Sequence, residues 1–197
     1  MRTTFNSILS LGLIFQTGLL IADPDPWKES YRLENVYQYD AALNAINGVS
    51  SDNELVLLRR AWLYYLKGSN SKSIDYYKKA INKNNKSLDA RLGIILPLMA
   101  QQRWREAESN AKKVLEVAPW NYHAHVRLMA TEEALKHWSQ LEKHARSVYE
   151  RYPSDADALV FMARAYRKQG NDKAATQAYE KVLELAPDNF EARHYTK

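Results

Sequence analysis

The sequence contains no cysteine and little glycine or proline. Without cysteine among its 197 residues, the chain has no disulfide, no thiolate metal site, no cysteine nucleophile and no lipid-modified cysteine. Six glycines and six prolines accompany 46% hydrophobic and 26% charged residues, which is the balance of a globular chain with a sizeable core. These figures exclude a disulfide-stapled miniprotein and a disordered chain.

Motifs that carry catalysis or phosphate binding are also lacking. The sequence has no glycine-rich phosphate loop, no G-x-S-x-G nucleophile elbow and no H-E-x-x-H motif. His123 and His125 form a close histidine pair, but residues two apart on a helix point in different directions, and no third ligand accompanies them. We therefore predict that the chain is not an enzyme and uses no metal and no cofactor.

An uncharged apolar segment, Phe5 to Ala22, follows Arg2 and ends before an Asp-Pro-Asp-Pro run. This pattern predicts a secretory signal peptide over residues 1–22, because interspersed polar residues make the segment too weakly hydrophobic for a typical membrane span. Leu20 is bulky for a position three residues before the predicted cleavage site, which favours an uncleaved anchor instead. Either reading predicts export, to the periplasm or outside the cell, or retention at the inner membrane with the remaining chain outside the cytoplasm. Membrane contact is expected only through this segment when it is uncleaved.

A period of 34 residues organises the rest of the chain. Pro119, Pro153 and Pro187 are spaced by 34 residues. Residues with side-chain oxygens suited to capping a helix N-terminus keep the same spacing: Asn53, Ser87, Asn121, Asp155 and Asn189. The period thus predicts that one helix ends, proline blocks its continuation, and a capping residue starts the next helix.

The final period carries the most specific pattern, an order of large, apolar, small and aromatic residues followed by alanine, an aromatic residue and proline. Its residues are Leu159, Met162, Ala163, Tyr166, Gly170, Ala175, Tyr179 and Pro187. This pattern resembles the tetratricopeptide repeat. The resemblance implies an all-α fold, a right-handed superhelical array of antiparallel helix pairs, with repeats at 54–87, 88–121, 122–155 and 156–189.

Both ends of the array differ from a full repeat. Residues 28–47 place Val36, Tyr39, Leu43 and Ile46 on one helical face, so we predict that residues 23–53 form a half-repeat that caps the stack. Residues 190–197 form a short tail. Repeat arrays normally need a polar cap at each end, so we expect the last repeat to expose Tyr179 and Val182 and to offer a surface for self-association.

The inner repeats depart from the pattern at particular positions. The first has Arg60 and the second Arg91 where an apolar residue is expected. The third has His125 and Glu132 in place of a large apolar and an aromatic residue, so we predict that it is the least rigid part of the array.

The resemblance implies a concave groove lined by the first helix of each pair. Transferred by position, the candidate partner-binding residues are Leu58, Arg59, Trp62, Tyr65, Leu92, Leu96, Met99, Arg127, Phe161 and Arg164. A chaperone-tail clamp of this family uses lysine and asparagine at the positions of Leu58 and Trp62, so that subtype is excluded. The groove instead suits a helical or extended apolar segment of a protein partner, with Arg59 and Arg127 orienting its acidic residues.

The sequence is also compatible with two other functions. Eight bases lie in residues 54–87, which suits contact with an anionic envelope polymer or a membrane surface. No nucleic-acid motif accompanies them, and an exported protein seldom meets that ligand. The leading prediction is a protein-binding adaptor of the cell envelope. The second alternative to it is a homo-oligomeric scaffold joined through the C-terminal end.

Overall fold

The computed structural model describes residues 25–50 and 52–196, which form eleven α-helices and no strand. The helices are α1 Pro26–Asn35, α2 Tyr39–Ala45, α3 Glu54–Leu66, α4 Asn70–Lys83, α5 Leu88–Ala100, α6 Trp104–Val117, α7 Tyr122–Ala134, α8 Trp138–Arg151, α9 Ala156–Lys168, α10 Asp172–Leu185 and α11 Phe190–Tyr195. Consecutive helices pair, and each pair packs on the next, so the predicted all-α array is confirmed. The predicted signal segment, residues 1–22, lies outside the described residues.

Side-chain caps start five of these helices at the predicted residues. Each cap oxygen accepts a hydrogen bond from a backbone N–H of the first helical turn, at 2.9–3.2 Å. The capping residues are Asn53, Ser87, Asn121, Asp155 and Asn189. The free amides of each helix start are thereby paired locally, and this fixes the phase of the array.

The turn inside each helix pair has a common backbone geometry. Gly68, Gln102, Lys136 and Gly170 are 34 residues apart and adopt positive φ values of 57–78°. After the first helix of a pair, the N–H two residues beyond its C-cap donates to a carbonyl in its last turn, as from Ser69 to Tyr64 at 2.8 Å. This is the Schellman arrangement, which ends a helix and reverses the chain.

The predicted N-terminal half-repeat, residues 23–53, is instead a complete pair made of α1 and α2. Tyr37 takes a positive φ of 61° and ends α1 with the same backbone geometry as the other pairs. Because the chain turns at Tyr37, the predicted apolar residues do not share one helical face: Leu43 and Ile46 are buried, whereas Val36 is exposed. This pair gives the array a first helix, α1, that faces α3.

The predicted exposure of Tyr179 and Val182 is wrong, because α11 covers both residues. Tyr179 is fully buried, its ring stacks on Tyr195 with centroids 5.2 Å apart, and its hydroxyl donates to Glu191 at 2.6 Å. The tail 190–197 therefore begins with a packed helix of six residues. The apolar surface that was expected to support self-association at this end is therefore buried.

Candidate functional site

A cavity of about 470 Å³ opens between the first helices of the first three pairs. Its lining residues are Trp27 and Tyr31 of α1, Leu55, Leu58, Arg59 and Trp62 of α3, Tyr77 of α4 and Asp89 of α5. The volume lies within the roughly 300–1,000 Å³ typical of ligand pockets. Leu55 and Tyr31 are 61% and 54% exposed, so large apolar surface borders the opening. The N-terminal candidates Leu58, Arg59 and Trp62 thus meet in one site.

Glu34 of α1 organises the wall of this cavity. One carboxylate oxygen pairs with Arg59, and the other accepts a hydrogen bond from the indole N–H of Trp62 at 2.8 Å. Arg59 is only 4% exposed, its Nε donates to the Ser30 hydroxyl at 3.0 Å, and its guanidinium lies 3.9 Å from the centre of the Tyr31 ring. The sequence predicts that Arg59 orients acidic residues of a partner, but Glu34 already pairs with this arginine, so such a residue would have to compete with Glu34.

One atom of this wall remains without an acceptor. Nη2 of Arg59 is buried and has no hydrogen-bond partner among the described residues. Sequence reasoning assigned residues 23–53 to a half-repeat that caps the stack, so it placed neither Trp27 nor Tyr31 of α1 in the groove.

Tyr77 reaches the cavity from the second helix of its pair because residue 93 is glycine. A Cβ at Gly93 would lie 2.3 Å from Cε1 of Tyr77, so the tyrosine ring packs directly on the backbone of α5. Burial raises the pKa of the Tyr77 hydroxyl to about 12, so this hydroxyl is neutral at physiological pH. A glycine in the middle of a helix was the sequence signal for this close approach.

The central candidates line the groove beyond the cavity. Leu92, Leu96 and Met99 are half-buried on α5, and Tyr65 packs on Trp62 with ring centroids 5.7 Å apart. These four residues therefore keep part of their apolar surface accessible.

Arg127 is engaged inside the protein rather than presented to a partner. Its Nη1 donates to the main-chain carbonyl of Leu92 at 2.5 Å, and burial lowers its pKa. The expected role of Arg127 in orienting acidic residues is therefore not supported by its position.

The C-terminal candidates form a separate ion-pair cluster. Arg164 contacts Glu191 of α11 at 2.5 Å and Glu133 of α7 at 3.2 Å, and its guanidinium lies 5.7 Å from the Phe161 ring centre. The hydrogen bond to Glu191 raises the pKa of Arg164 further above its usual value. Phe161 and Arg164 thus hold α7, α9 and α11 together and line no part of the cavity.

The two departures in the third repeat meet in a buried polar chain. His125 and Glu132 are 7% and 4% exposed, and His144 of α8 lies between them. His125 Nε2 contacts the Pro119 carbonyl at 2.8 Å, His125 Nδ1 contacts His144 Nε2 at 2.6 Å, and His144 Nδ1 contacts Glu132 at 3.1 Å. Burial lowers the pKa of His125.

With His125 neutral, the contacts of its two ring nitrogens define its tautomer. The carbonyl only accepts, so Nε2 of His125 carries a hydrogen and its Nδ1 accepts one from Nε2 of His144. Nδ1 of His144 then faces the carboxylate of Glu132 at 3.1 Å. The same pair, α7 and α8, is the least extensively packed of the five helix pairs, which agrees with the predicted weakness of this repeat.

The basic residues of the first repeat are partly used within the fold. Lys72 lies 5.4 Å from the Tyr64 ring centre and Lys79 lies 4.7 Å from that of Tyr76, and these two rings stack on each other. Lys67 pairs with Asp40. The basic surface is thus interleaved with aromatic rings, and none of these residues lines the cavity.

The described residues contain neither a metal-binding cluster nor a membrane-spanning helix. No group of three or more histidine and acidic side chains in residues 25–50 and 52–196 is arranged to hold a metal ion. In the same ranges, no helix has the length and apolar character that crossing a membrane requires.

The geometry defines an α-solenoid of stacked helix pairs with an apolar cavity on the face formed by the first helices. Family models of the tetratricopeptide repeat match residues 55–87 and 156–189. The matches and the observed fold identify the chain as a tetratricopeptide repeat protein. Proteins built from these repeats are generally non-catalytic modules that interact with other proteins.

Solved structures share the fold over most of the chain. The crystal structure of YrrB, described as a TPR protein with an unusual peptide-binding site, has a TM-score of 0.74 and 17% identity, and the alignment covers 86% of this chain and 89% of YrrB. MamA from Desulfovibrio magneticus RS-1, from residue 41 to its end, has a TM-score of 0.77 and 13% identity, with coverage of 84% and 95%. At these identities the likeness concerns the fold.

Proposed function

We propose that this protein is a non-enzymatic adaptor of the cell envelope that holds a segment of a polypeptide partner in its concave groove. The observation that carries this proposal is the apolar cavity between α1, α3 and α5, bordered by exposed Leu55 and Tyr31. Large exposed apolar patches in soluble domains mark interaction sites. YrrB, whose fold this chain shares, is described as having a peptide-binding site, which supports a peptide ligand here.

The partner segment, helical or extended, is anchored by an apolar side chain in the cavity. Leu58 and Trp62 form its wall, and Leu92, Leu96 and Met99 continue the apolar surface along α5. Arg127, Phe161 and Arg164 maintain the shape of the array and do not bind the partner directly, because each already packs or pairs within the fold.

The envelope location in this proposal rests on the uncharged apolar segment of residues 5–22, which has the pattern of a signal peptide or signal anchor. Fractionation of cells that produce the tagged protein tests it. Recovery of the protein in the cytoplasmic fraction would contradict an envelope role.

Photo-crosslinking in intact cells tests the groove. A benzophenone amino acid replaces Leu55, and a matched variant carries it at Val117, which is 70% exposed and lies outside the cavity. We expect protease-sensitive adducts from position 55 only, and we expect Trp62→Ala to reduce them while the helical circular dichroism signal is unchanged. The same adducts from both positions, or none from position 55, would contradict the proposal. Parallel loss of helicity and adducts would show that Trp62 acts as a core residue.

Ionic strength separates this function from the alternative role of the basic surface in the first repeat. Exposed charges interact weakly beyond the Debye length, about 10 Å at 0.1 M salt, whereas apolar contacts are not screened. Capture that falls steeply between low and moderate salt would therefore assign the role to the basic surface, which suits an anionic polymer or membrane surface.

A further inference from the structure

The three arginines predicted to face the groove already have contacts within the fold. Arg59 is paired with Glu34, Arg127 is half-buried and donates to a main-chain carbonyl, and Arg164 is paired with two glutamates. Two of these three cations are therefore neutralised by carboxylates of this chain, and the third, Arg127, is hydrogen-bonded within it. An acidic partner would have to compete with a glutamate of this chain for Arg59 or Arg164.

By contrast, one carboxylate at the edge of the cavity, that of Asp89, is not paired with any described residue. Asp89 is exposed, lines the cavity and has no hydrogen bond or ion pair with any described residue. It lies in the first turn of α5, where the helix dipole stabilises a negative charge. The cavity thus combines apolar walls with one available negative charge at its edge.

We infer that the cavity binds a segment in which a large apolar side chain is flanked by lysine or arginine. The apolar side chain enters between Trp62, Leu58 and Tyr31, and the flanking cation lies against the carboxylate of Asp89. The inference rests on the proposed function, since it specifies the partner of the same groove. It reverses the acidic partner expected from the sequence.

The chain supplies a matched control for Asp89. Asp157 occupies the equivalent position of the fourth repeat, 68 residues later, and is likewise exposed in the first turn of its helix. Asp157 does not line the cavity. Asp89→Asn and Asp157→Asn therefore remove the same charge from the same helical position, but only Asp89→Asn changes the site.

Selection from a displayed library of random end-capped peptides tests the inference on the purified wild-type protein and on both variants. We expect wild-type selection to enrich peptides that carry lysine or arginine next to an aromatic or large aliphatic residue. Asp89→Asn should weaken binding of an enriched peptide about two- to fivefold, the range of an exposed ion pair, and Asp157→Asn should leave it unchanged.

The outcomes separate this inference from the proposed function. Enriched peptides with acidic or uncharged flanks would overturn the inference while the groove function stands. Basic enrichment that is equally strong on the Asp89→Asn variant would also overturn it, because the cation would then bind elsewhere. Failure to enrich any peptide would contradict both the groove function and the inference.

Discussion

Acidification should destabilise this protein through the buried histidine chain of the third repeat. His125 is held neutral in the fold because burial lowers its pKa, and its Nδ1 accepts a hydrogen bond from His144 at 2.6 Å. A proton added to Nδ1 would end its role as the acceptor of this hydrogen bond. His144 of α8, Glu132 of α7 and the Pro119 carbonyl are the charged and polar groups that face it.

The size of the effect follows from proton linkage. In the unfolded chain His125 titrates near its ordinary pKa of 6.5, whereas in the folded chain it takes up a proton only at lower pH. Between these two values the unfolded state binds more protons, so stability falls as pH falls. The slope is at most about 1.4 kcal/mol per pH unit, which gives a loss of no more than about 2 kcal/mol between pH 6.5 and pH 5. Above pH 6.5 this contribution is constant.

Equilibrium urea unfolding at a series of pH values measures the loss. His125→Gln removes the titrating group, so the wild-type protein should lose more stability than this variant between pH 6.5 and pH 5. His123→Gln serves as the control, because His123 is exposed and outside the chain of hydrogen bonds. Identical pH slopes for the wild-type protein and His125→Gln would refute the reasoning.

Two further substitutions test packing and charge around the cavity. Gly93→Ala should destabilise the protein by about 1–2 kcal/mol in thermal or urea unfolding, because the added Cβ would overlap the buried ring of Tyr77. Gly48→Ala is the control and should not destabilise the protein, because nothing lies within 4 Å of its added Cβ. Equal effects of the two substitutions would contradict the packing argument. Glu34→Gln should cost about 2–4 kcal/mol in urea unfolding, because it leaves a buried guanidinium without a counter-charge, and Glu29→Gln, which affects an exposed pair, should cause no measurable change. A Glu34→Gln variant as stable as the wild-type protein would show that the buried pair adds nothing.

The sequence predicted the features that short-range chemistry determines. A cap such as Asn121 bonds to an amide three residues away, and a turn such as that at Gly170 closes within six residues, so both repeat with the period of the chain. The break at Tyr37 has the same geometry but lacks glycine or proline, so no local signal marked it. Because this break was not predicted, α1 was also not placed in the predicted groove.

The site could be predicted only in part, because its electrostatics depend on contacts between neighbouring pairs. Leu58 and Trp62 follow from their helical position, but the neutralisation of Arg59 needs Glu34, 25 residues earlier, and that of Arg164 needs Glu191, 27 residues later. Sequence position shows that an arginine faces a groove. It does not show that the adjacent pair supplies its acceptor.

The third repeat, α7 and α8, lies at the boundary between two halves of the core, so its opening should be local. Leu128 of α7 packs with the core of the first two repeats, while Met129, the next residue, packs with the core of the last two. Stability in repeat arrays is a sum over units and their nearest neighbours, so loss of the His125 contact weakens α7 and α8 first. Amide hydrogen exchange at pH 5, corrected for intrinsic rates, should therefore rise in residues 122–151 before it rises in residues 54–83. Exchange that increased equally in both ranges would mean that the array unfolds as one cooperative unit and that the cavity is lost together with the histidine chain.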